Sequence, residues 1–311
     1  MYICCMRKTI LLLSILSLPV IVSAQYRWDF GVKLGAANYL GDIGGGKGTR
    51  RDFVPDMKMP ETRYAGGLFA RYKVLPKISI QGGFDYGRIQ GDDKLSANPA
   101  RHNRNLNFKN NIFELNLMGQ YFFYEIQDLG HTYSYRNDFR AYVGGGVAVF
   151  HHNPKTLDGG VALQPLMTEN VQYSLFQFSV PAQIGFYFTI NKKYRIGWDL
   201  TWRTTFTDYL DDVSGKYADP KVIGPEAAKY ANRSTELNLT PAEQKQYGVW
   251  TDDSGVLHHN KRGDPTHKDS YLLTTINASM AIRGKSSFYK SHYGGAFKGK
   301  KYKKRKFRAK F

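Results

Sequence analysis

Cysteine is almost missing from this 311-residue chain: the two present, Cys4 and Cys5, both precede the first apolar run. That run, "MRKTILLLSILSLPVIVSAQ" from Met6, has Arg7 and Lys8 ahead of it and small residues before Gln25. This is the layout of a secretory signal peptide over residues 1–24, with Met6 as initiator and cleavage after Ala24. The mature chain then holds no cysteine, which excludes a disulfide framework, a thiolate metal site, a cysteine nucleophile and a lipidated first residue. Beyond the leader no apolar run approaches the roughly 18 residues of a membrane helix. A membrane-embedded chain would therefore have to close into a β-barrel, the other structure that satisfies every backbone polar group internally. Catalytic signatures are absent as well. No G-x-S-x-G elbow occurs, and the adjacent pairs His151-His152 and His258-His259 lack the carboxylate spacing of a ligand set, so they read as loop histidines. No catalytic residue, metal or cofactor is expected.

What is present is alternation. In "SLFQFSVPAQIGFYFTINKKYRIGWDLTWRTTF", 174–206, apolar residues from Phe176 to Ile190 and from Tyr194 to Phe206 recur at nearly every second position. They are opposed by Gln177, Ser179, Gln183, Thr189, Arg195, Asp199, Thr201, Arg203 and Thr205. A period of two means strand, and both arms exceed the about 9–11 residues that a tilted strand needs to cross a bilayer. Six further segments alternate in the same way: about 28–40, 63–74, 77–89, 110–124, 138–150 and, more weakly, 270–283, where Asn277 interrupts the pattern. Pro181 inside one arm predicts a bulge. Short links at Leu75-Pro76-Lys77 and Asn191-Lys192-Lys193, with a moderate one at 125–137, alternate with long ones at 41–62, 90–109, 151–173 and 207–269. That asymmetry predicts an all-β fold: an eight-stranded antiparallel transmembrane barrel of the small outer-membrane kind over 25–284, with long extracellular loops, short periplasmic turns and both termini periplasmic. Trp28, Tyr72, Phe188 and Tyr194 would form the periplasmic aromatic girdle, and Tyr86, Phe150 and Phe206 the outer one.

The inward set carries charge of both signs: Lys33, Arg71, Arg195 and Arg203 against Asp29, Asp85, Glu114 and Asp199. In a lumen that eight strands leave just wide enough for side chains, the expectation is a plug of paired charges rather than a conducting pore. Outside the strands, "TFTDYLDDVSGKYAD" (205–219) clusters Asp208, Asp211, Asp212 and Asp219 without the spacing of a calcium loop. These carboxylates, like "GDDK" (91–94), read as turn caps or as partners for arginines such as Arg203, and "RGDP" (262–265) as a loop turn. Of a formal net charge of +18, nine positive charges lie in the last fourteen residues, "KGKKYKKRKFRAKF". This 285–311 tail is expected to be a solvated periplasmic segment that docks electrostatically; nucleic acid, the usual partner of such a run, is not expected in that compartment.

The blocks "NYLGDIGG" (38–45), "YGRIQGDDKLS" (86–96), "RNLNFKNNIFEL" (104–115), "FHHNPK" (150–155), "TFTDYLDDVSGKYAD" and "RGDP" resemble the recurrent blocks of PorG-like outer-membrane proteins of the type IX secretion system of Bacteroidota. The resemblance implies a non-enzymatic barrel in outer-membrane lipid that associates with a periplasmic ring lipoprotein and its soluble partner and assembles or anchors the export machine. The lysine-rich tail is not part of that pattern. With the ring on the periplasmic side, the contact surface would be Leu75, Pro76, Lys77, the 125–137 turn, Asn191, Lys192, Lys193 and the tail residues Lys300, Lys301, Lys303, Lys304, Arg305 and Lys306. An adhesin or ligand-binding barrel acting through the outer loops, with Trp250, His258 and "RGDP", is the alternative.

Overall fold

The computed structural model describes residues 28–45, 57–127, 129, 137–191 and 193–282. The leader, Lys192 and the 285–311 tail, with its six candidate contact residues, lie outside the described residues. Strands β1 (Trp28–Leu40), β2 (Arg63–Leu75), β3 (Ile78–Asp92), β4 (Asn107–Ile126), β5 (Asp138–His151), β6 (Phe176–Ile190), β7 (Tyr194–Thr205) and β10 (Ser270–Ile282) close into one antiparallel barrel, β10 joining β7 to β1. A separate hairpin, β8 (Val249–Thr251) with β9 (Leu257–His259), sits in the last long loop. Three short helices cap that end: α1 (Pro99–Arg104), α2 (Pro220–Ala231) and α3 (Pro241–Gln244). Asn98, Asp219 and Thr240 N-cap them, each accepting a backbone N–H of the first turn ahead of a proline that has none to give.

Alternation sorts the side chains as the sequence requires. Outward-facing Leu34, Leu68, Leu115, Val147 and Ile276 are each at least 60% exposed, whereas Asp29, Gln81, Glu114 and Thr205 on the opposite face are at most 1% exposed. A continuous wall of exposed Val, Leu, Ile and Phe around a polar interior is the inverse of a soluble protein, and its solvent is hydrocarbon. Barrel strands of 12 to 20 residues exceed the crossing length. The surplus lies at the long-loop end, where β3 and β4 stay paired out to Asp92↔Asn107, shortening the loop expected at 90–109 to 93–106.

Three local expectations change. Pro181 makes no bulge: Val180↔Thr204, Pro181↔Arg203 and Ala182↔Trp202 keep one register with β7, and the only effect is a gap in the ladder toward β5 between Gly145↔Ala182 and Ala148↔Ser179, where proline has no N–H to donate. The register shifts lie instead between Lys73 and Leu75, beside a short turn, and between Phe122 and Tyr124, beside the moderate β4–β5 link. Asn277 does not interrupt β10; it points into the lumen, fully buried. Phe150 belongs to no girdle, because its even position in β5 faces inward with Tyr142 and Ala148, and it packs against Tyr271 at 5.9 Å.

Candidate functional site

Buried side chains cross the lumen in successive layers from one end to the other. Near the short-turn end Phe122, Tyr142 and Tyr187 pack together, and the Arg71 guanidinium lies 5.0 to 5.3 Å from the Phe69, Tyr142 and Tyr187 ring centres. Arg71 Nη1 and Arg195 Nη1 share Asp29 Oδ2 at 3.2 and 2.8 Å. A glutamine layer comes next: Gln120 Nε2 donates to Gln81 Oε1 at 3.0 Å and to Gln183 Oε1 at 2.9 Å. Above it Lys33 Nζ meets Asp85 Oδ2 at 3.2 Å, Arg203 Nη2 meets the same oxygen at 3.0 Å, and Arg203 Nε meets Glu114 Oε2 at 3.1 Å. Seven of the eight inward charges read from sequence, Asp29, Lys33, Arg71, Asp85, Glu114, Arg195 and Arg203, thus stand in ion pairs. The eighth, Asp199, makes none among the described residues; it accepts from the Tyr142 hydroxyl and from Asn277 Nδ2 at 2.9 Å. Alternation alone could assign inward residues, but it could not foresee that the closure of the barrel would set a tyrosine and an asparagine against Asp199.

The long loops form a second packed layer over this plug. Tyr39, Ile43, Ile89, Leu106, Phe108, Ile112, Phe150, Leu163, Leu210, Val213 and Tyr271 are at most 5% exposed and make one apolar cluster. Two buried arginines tie the four loops together. Arg104 donates to both Asp93 oxygens at 2.7 and 3.0 Å, to the Asp42 carbonyl at 2.9 Å and to the Arg262 carbonyl at 2.5 Å. Arg262 reaches Glu169 Oε1 at 2.9 Å, the Asp212 carbonyl at 2.5 Å and the Ala231 carbonyl at 3.1 Å. The arginine of "RGDP" is therefore the buried centre of the cap, not an exposed turn residue. Asp211 accepts from Tyr39 at 2.5 Å, Asp212 from Thr168 at 2.5 Å and Tyr173 at 2.7 Å, and Asp208 from Ser214 at 2.6 Å. The acidic cluster pairs with loop groups and Arg262 while Arg203 stays in the lumen, a correction that follows from Arg203 lying on the inward face of β7.

Burial sets the titration of this layer. It pushes the Glu61 carboxyl up to about 7 against the pull of Lys58, and Asp212 up to about 6 against Arg262. His152, fully buried, is pushed down to about 4. Burial works against the Arg104 charge too, but Asp93 outweighs it and holds its pKa above the usual value.

Between the third and fourth loops a cleft of about 830 Å³ opens, lined by Tyr209, Lys216, Trp250, His258 and Asn260. Tyr209 stacks on Tyr173 at 4.7 Å, and Trp250 on His258 at 4.5 Å. At the opposite end of the barrel, Leu75, Pro76 and Lys77 are exposed in one turn, and Asn191 and Lys193 in the other. Asn191 holds φ +52, which lets a three-residue link reverse the chain. Among the described residues no group of three histidines or carboxylates is placed to hold a metal ion.

A model of the family described as a domain of unknown function, DUF6089, matches residues 7–223. No curated protein matches the sequence. Among solved structures, OprG of Pseudomonas aeruginosa is 12% identical with a TM-score of 0.37, covering 83% of this chain and 97% of its own. AlkL, determined in DMPC bilayers, is 11% identical with a TM-score of 0.34, covering 86% and 97%. Ail, the attachment invasion locus protein of Yersinia pestis, in complex with the heparin analogue sucrose octasulfate, is 9% identical with a TM-score of 0.29, covering 82% and 98%. The barrel architecture rests on the strand pairing above and not on these likenesses.

Proposed function

Since this chain belongs to the DUF6089 family, whose model spans residues 7–223, and folds as a transmembrane barrel with a filled lumen, we propose that it is a non-enzymatic outer-membrane scaffold of the type IX secretion system. In this reading the short-turn end faces the periplasm and anchors the ring lipoprotein and its partner, while the long-loop end faces outward. The observation that carries it is the double closure of the barrel, by the Arg203–Glu114–Asp85–Lys33 network inside and by the Arg104 and Arg262 cap above. A barrel that leaves no passage and presents two exposed turns is built to hold something in the membrane. The specific machine is what the resemblance of the six blocks to PorG-like proteins implies, and in the fold these blocks meet at the cap, to which Tyr39, Asp93, Arg104, His152, Asp212 and Arg262 come from different blocks. A clean deletion should stop export of cargo carrying the C-terminal sorting domain while leaving the outer membrane intact. Normal export in that strain removes the reading.

The aromatic cleft favours a second reading, a receptor acting through its outer loops. Exchanging Tyr209 and Trp250 for Ala would then abolish attachment of cells to coated surfaces and spare export; unchanged attachment eliminates it.

A further inference from the structure

The lipid-facing wall is not uniform. Across β2 to β6 the outward positions Ala70, Gly82, Gly119, Gly145 and Ala182 carry little or no side chain; Ala70↔Gly82 is one run and Gly119↔Gly145↔Ala182 a second, one step apart because Gly82 itself stands opposite Leu117. A Cβ added at Gly82, Gly119 or Gly145 would meet nothing nearer than 3.7 Å, so the floor there is bare backbone facing outward. At the first of these runs lies a hollow of about 920 Å³ in the outer wall, floored by Ala70 and Gly82 and rimmed by Phe30, Leu68, Phe84, Leu117, Val147 and Phe178.

Above this hollow, on the same sector and toward the long-loop end, stand three cations. The outward rows climb from Phe84↔Leu115↔Val149 through Tyr86↔Phe113↔His151 to Arg88↔Asn111 and then Gln90↔Lys109, with Lys155 bridged directly opposite Lys109. Arg88 and Lys109 are diagonal neighbours, about 7–8 Å apart between Cα atoms, and Lys155 stands directly opposite Lys109 with its backbone about 5 Å away. Like charges placed directly opposite repel and cost stability unless an anion lies against them. None of the three makes an ion pair among the described residues, their neutral contacts being Lys109 Nζ to the Leu157 carbonyl at 3.2 Å and Arg88 to the Tyr64 hydroxyl; the acids at that edge are engaged elsewhere, Asp92 with the Lys94 backbone and Asp158 with Arg233 and Asn107. Arg88 Nε is buried without a hydrogen-bond partner. The rows from Phe113 to Lys109 climb about 10 Å once strand tilt is allowed for, which carries the charges from the aromatic girdle into the headgroup layer.

From these two features we infer that the Arg88, Lys109 and Lys155 sector is a binding site for a lipid of the adjoining leaflet whose headgroup carries phosphate, its acyl chains lying down the wall into the glycine-floored hollow. Arg88 lies four residues above Phe84 on β3, roughly 14 Å of strand, well within the reach of an acyl chain. A lipid is the occupant because the cations continue upward from a wall already committed to hydrocarbon, and because the charge is positive where lipid phosphate lies. The site is independent of the secretion role.

The test is binding of diphosphorylated lipid A to the full-length protein in uncharged detergent micelles, beside the same lipid stripped of its phosphates and inorganic phosphate alone. The intact lipid should bind in a salt-sensitive way. Exchange of Arg88, Lys109 and Lys155 for Gln should weaken it about fivefold per charge and on the order of 100-fold together. Ala70→Leu with Gly82→Leu, which fills the hollow and needs no left-handed backbone, should cost at least tenfold with the cations untouched. Urea midpoints confirm that each variant is folded, and Lys155→Gln alone, outside the strands, serves if the triple variant is not. Equal binding of the dephosphorylated lipid, equal response to inorganic phosphate, or unchanged affinity in either variant set overturns the assignment.

Discussion

Replacing Arg203 with Met should be among the most damaging single changes in the barrel. Its side chain is 1% exposed and spans two carboxylates, with Nη2 3.0 Å from Asp85 and Nε 3.1 Å from Glu114. Methionine fills much of the volume but leaves Glu114 with only the Tyr271 hydroxyl at 2.5 Å and the Asn116 amide at 2.9 Å, and Asp85 with Lys33 at 3.2 Å and the same amide at 2.8 Å. Breaking a buried pair by removing one partner costs about 3–5 kcal/mol, because the remaining charge sits away from water. With a urea slope of about 2 kcal/mol per molar, the unfolding midpoint in micelles should drop by roughly 2 M. Adding Glu114→Gln to Arg203→Met removes the stranded charge while Lys33 still neutralises Asp85, so the double variant should recover at least half of the loss. The assay is equilibrium unfolding followed by tryptophan fluorescence and heat-dependent gel mobility. A shift of Arg203→Met no larger than about 1 kcal/mol, the size of an exposed ion pair, refutes the reasoning.

Arg262→Met should loosen the cap without opening the barrel, since it strands Glu169 and Asp212; the 206–269 loop of the intact protein should be nicked by external protease at least tenfold faster while the strands stay protected. Glu61 gives a pH signature. Its folded pKa of about 7 lies above the unfolded value of 4.5, so the folded state binds the proton more tightly and stability falls as pH rises from about 4.5 to 7, by up to about 1.4 kcal/mol per unit. Glu61→Gln should flatten that part of a stability-against-pH curve, and a curve unchanged by the substitution contradicts the buried carboxyl. In planar bilayers the wild-type barrel should give no stable unitary conductance, and a reproducible channel step would contradict the filled lumen.

The barrel could be read from the sequence because side-chain period and link length are local quantities. Alternation placed Phe30, Leu115 and Ile196 outside and Asp85, Glu114 and Arg203 inside, and the alternation of short and long links set the strand number. What local reasoning misses is the partner brought in from far along the chain. Asn277 reads as an interruption until β10 closes on β7 and places it beside Asp199, 78 residues away. Pro181 reads as a bulge because the lost donor is visible in sequence, while the wall's tolerance for one missing bond is not. The cap was the least legible part. "LDDVS" and "RGDP" look like polar loop chemistry, and only the fold puts Arg262 beside Asp212 and Glu169 and brings Arg104 against the Arg262 carbonyl, 158 residues distant. A hint was available in Leu106 and Leu210, apolar residues in otherwise polar links, and in Tyr39 and Phe108 at the long-loop ends of β1 and β4, all four fully or nearly fully buried.

The central claim, a closed barrel that anchors a periplasmic assembly by its short turns, is tested most directly by a photo-crosslinking residue at Lys193, exposed in the β6–β7 turn. In intact cells this site should capture the ring lipoprotein, and the same probe at exposed Lys216 on the opposite end should not. Capture of lipid or peptidoglycan alone at Lys193, in a strain whose export continues after the barrel is deleted, would contradict it.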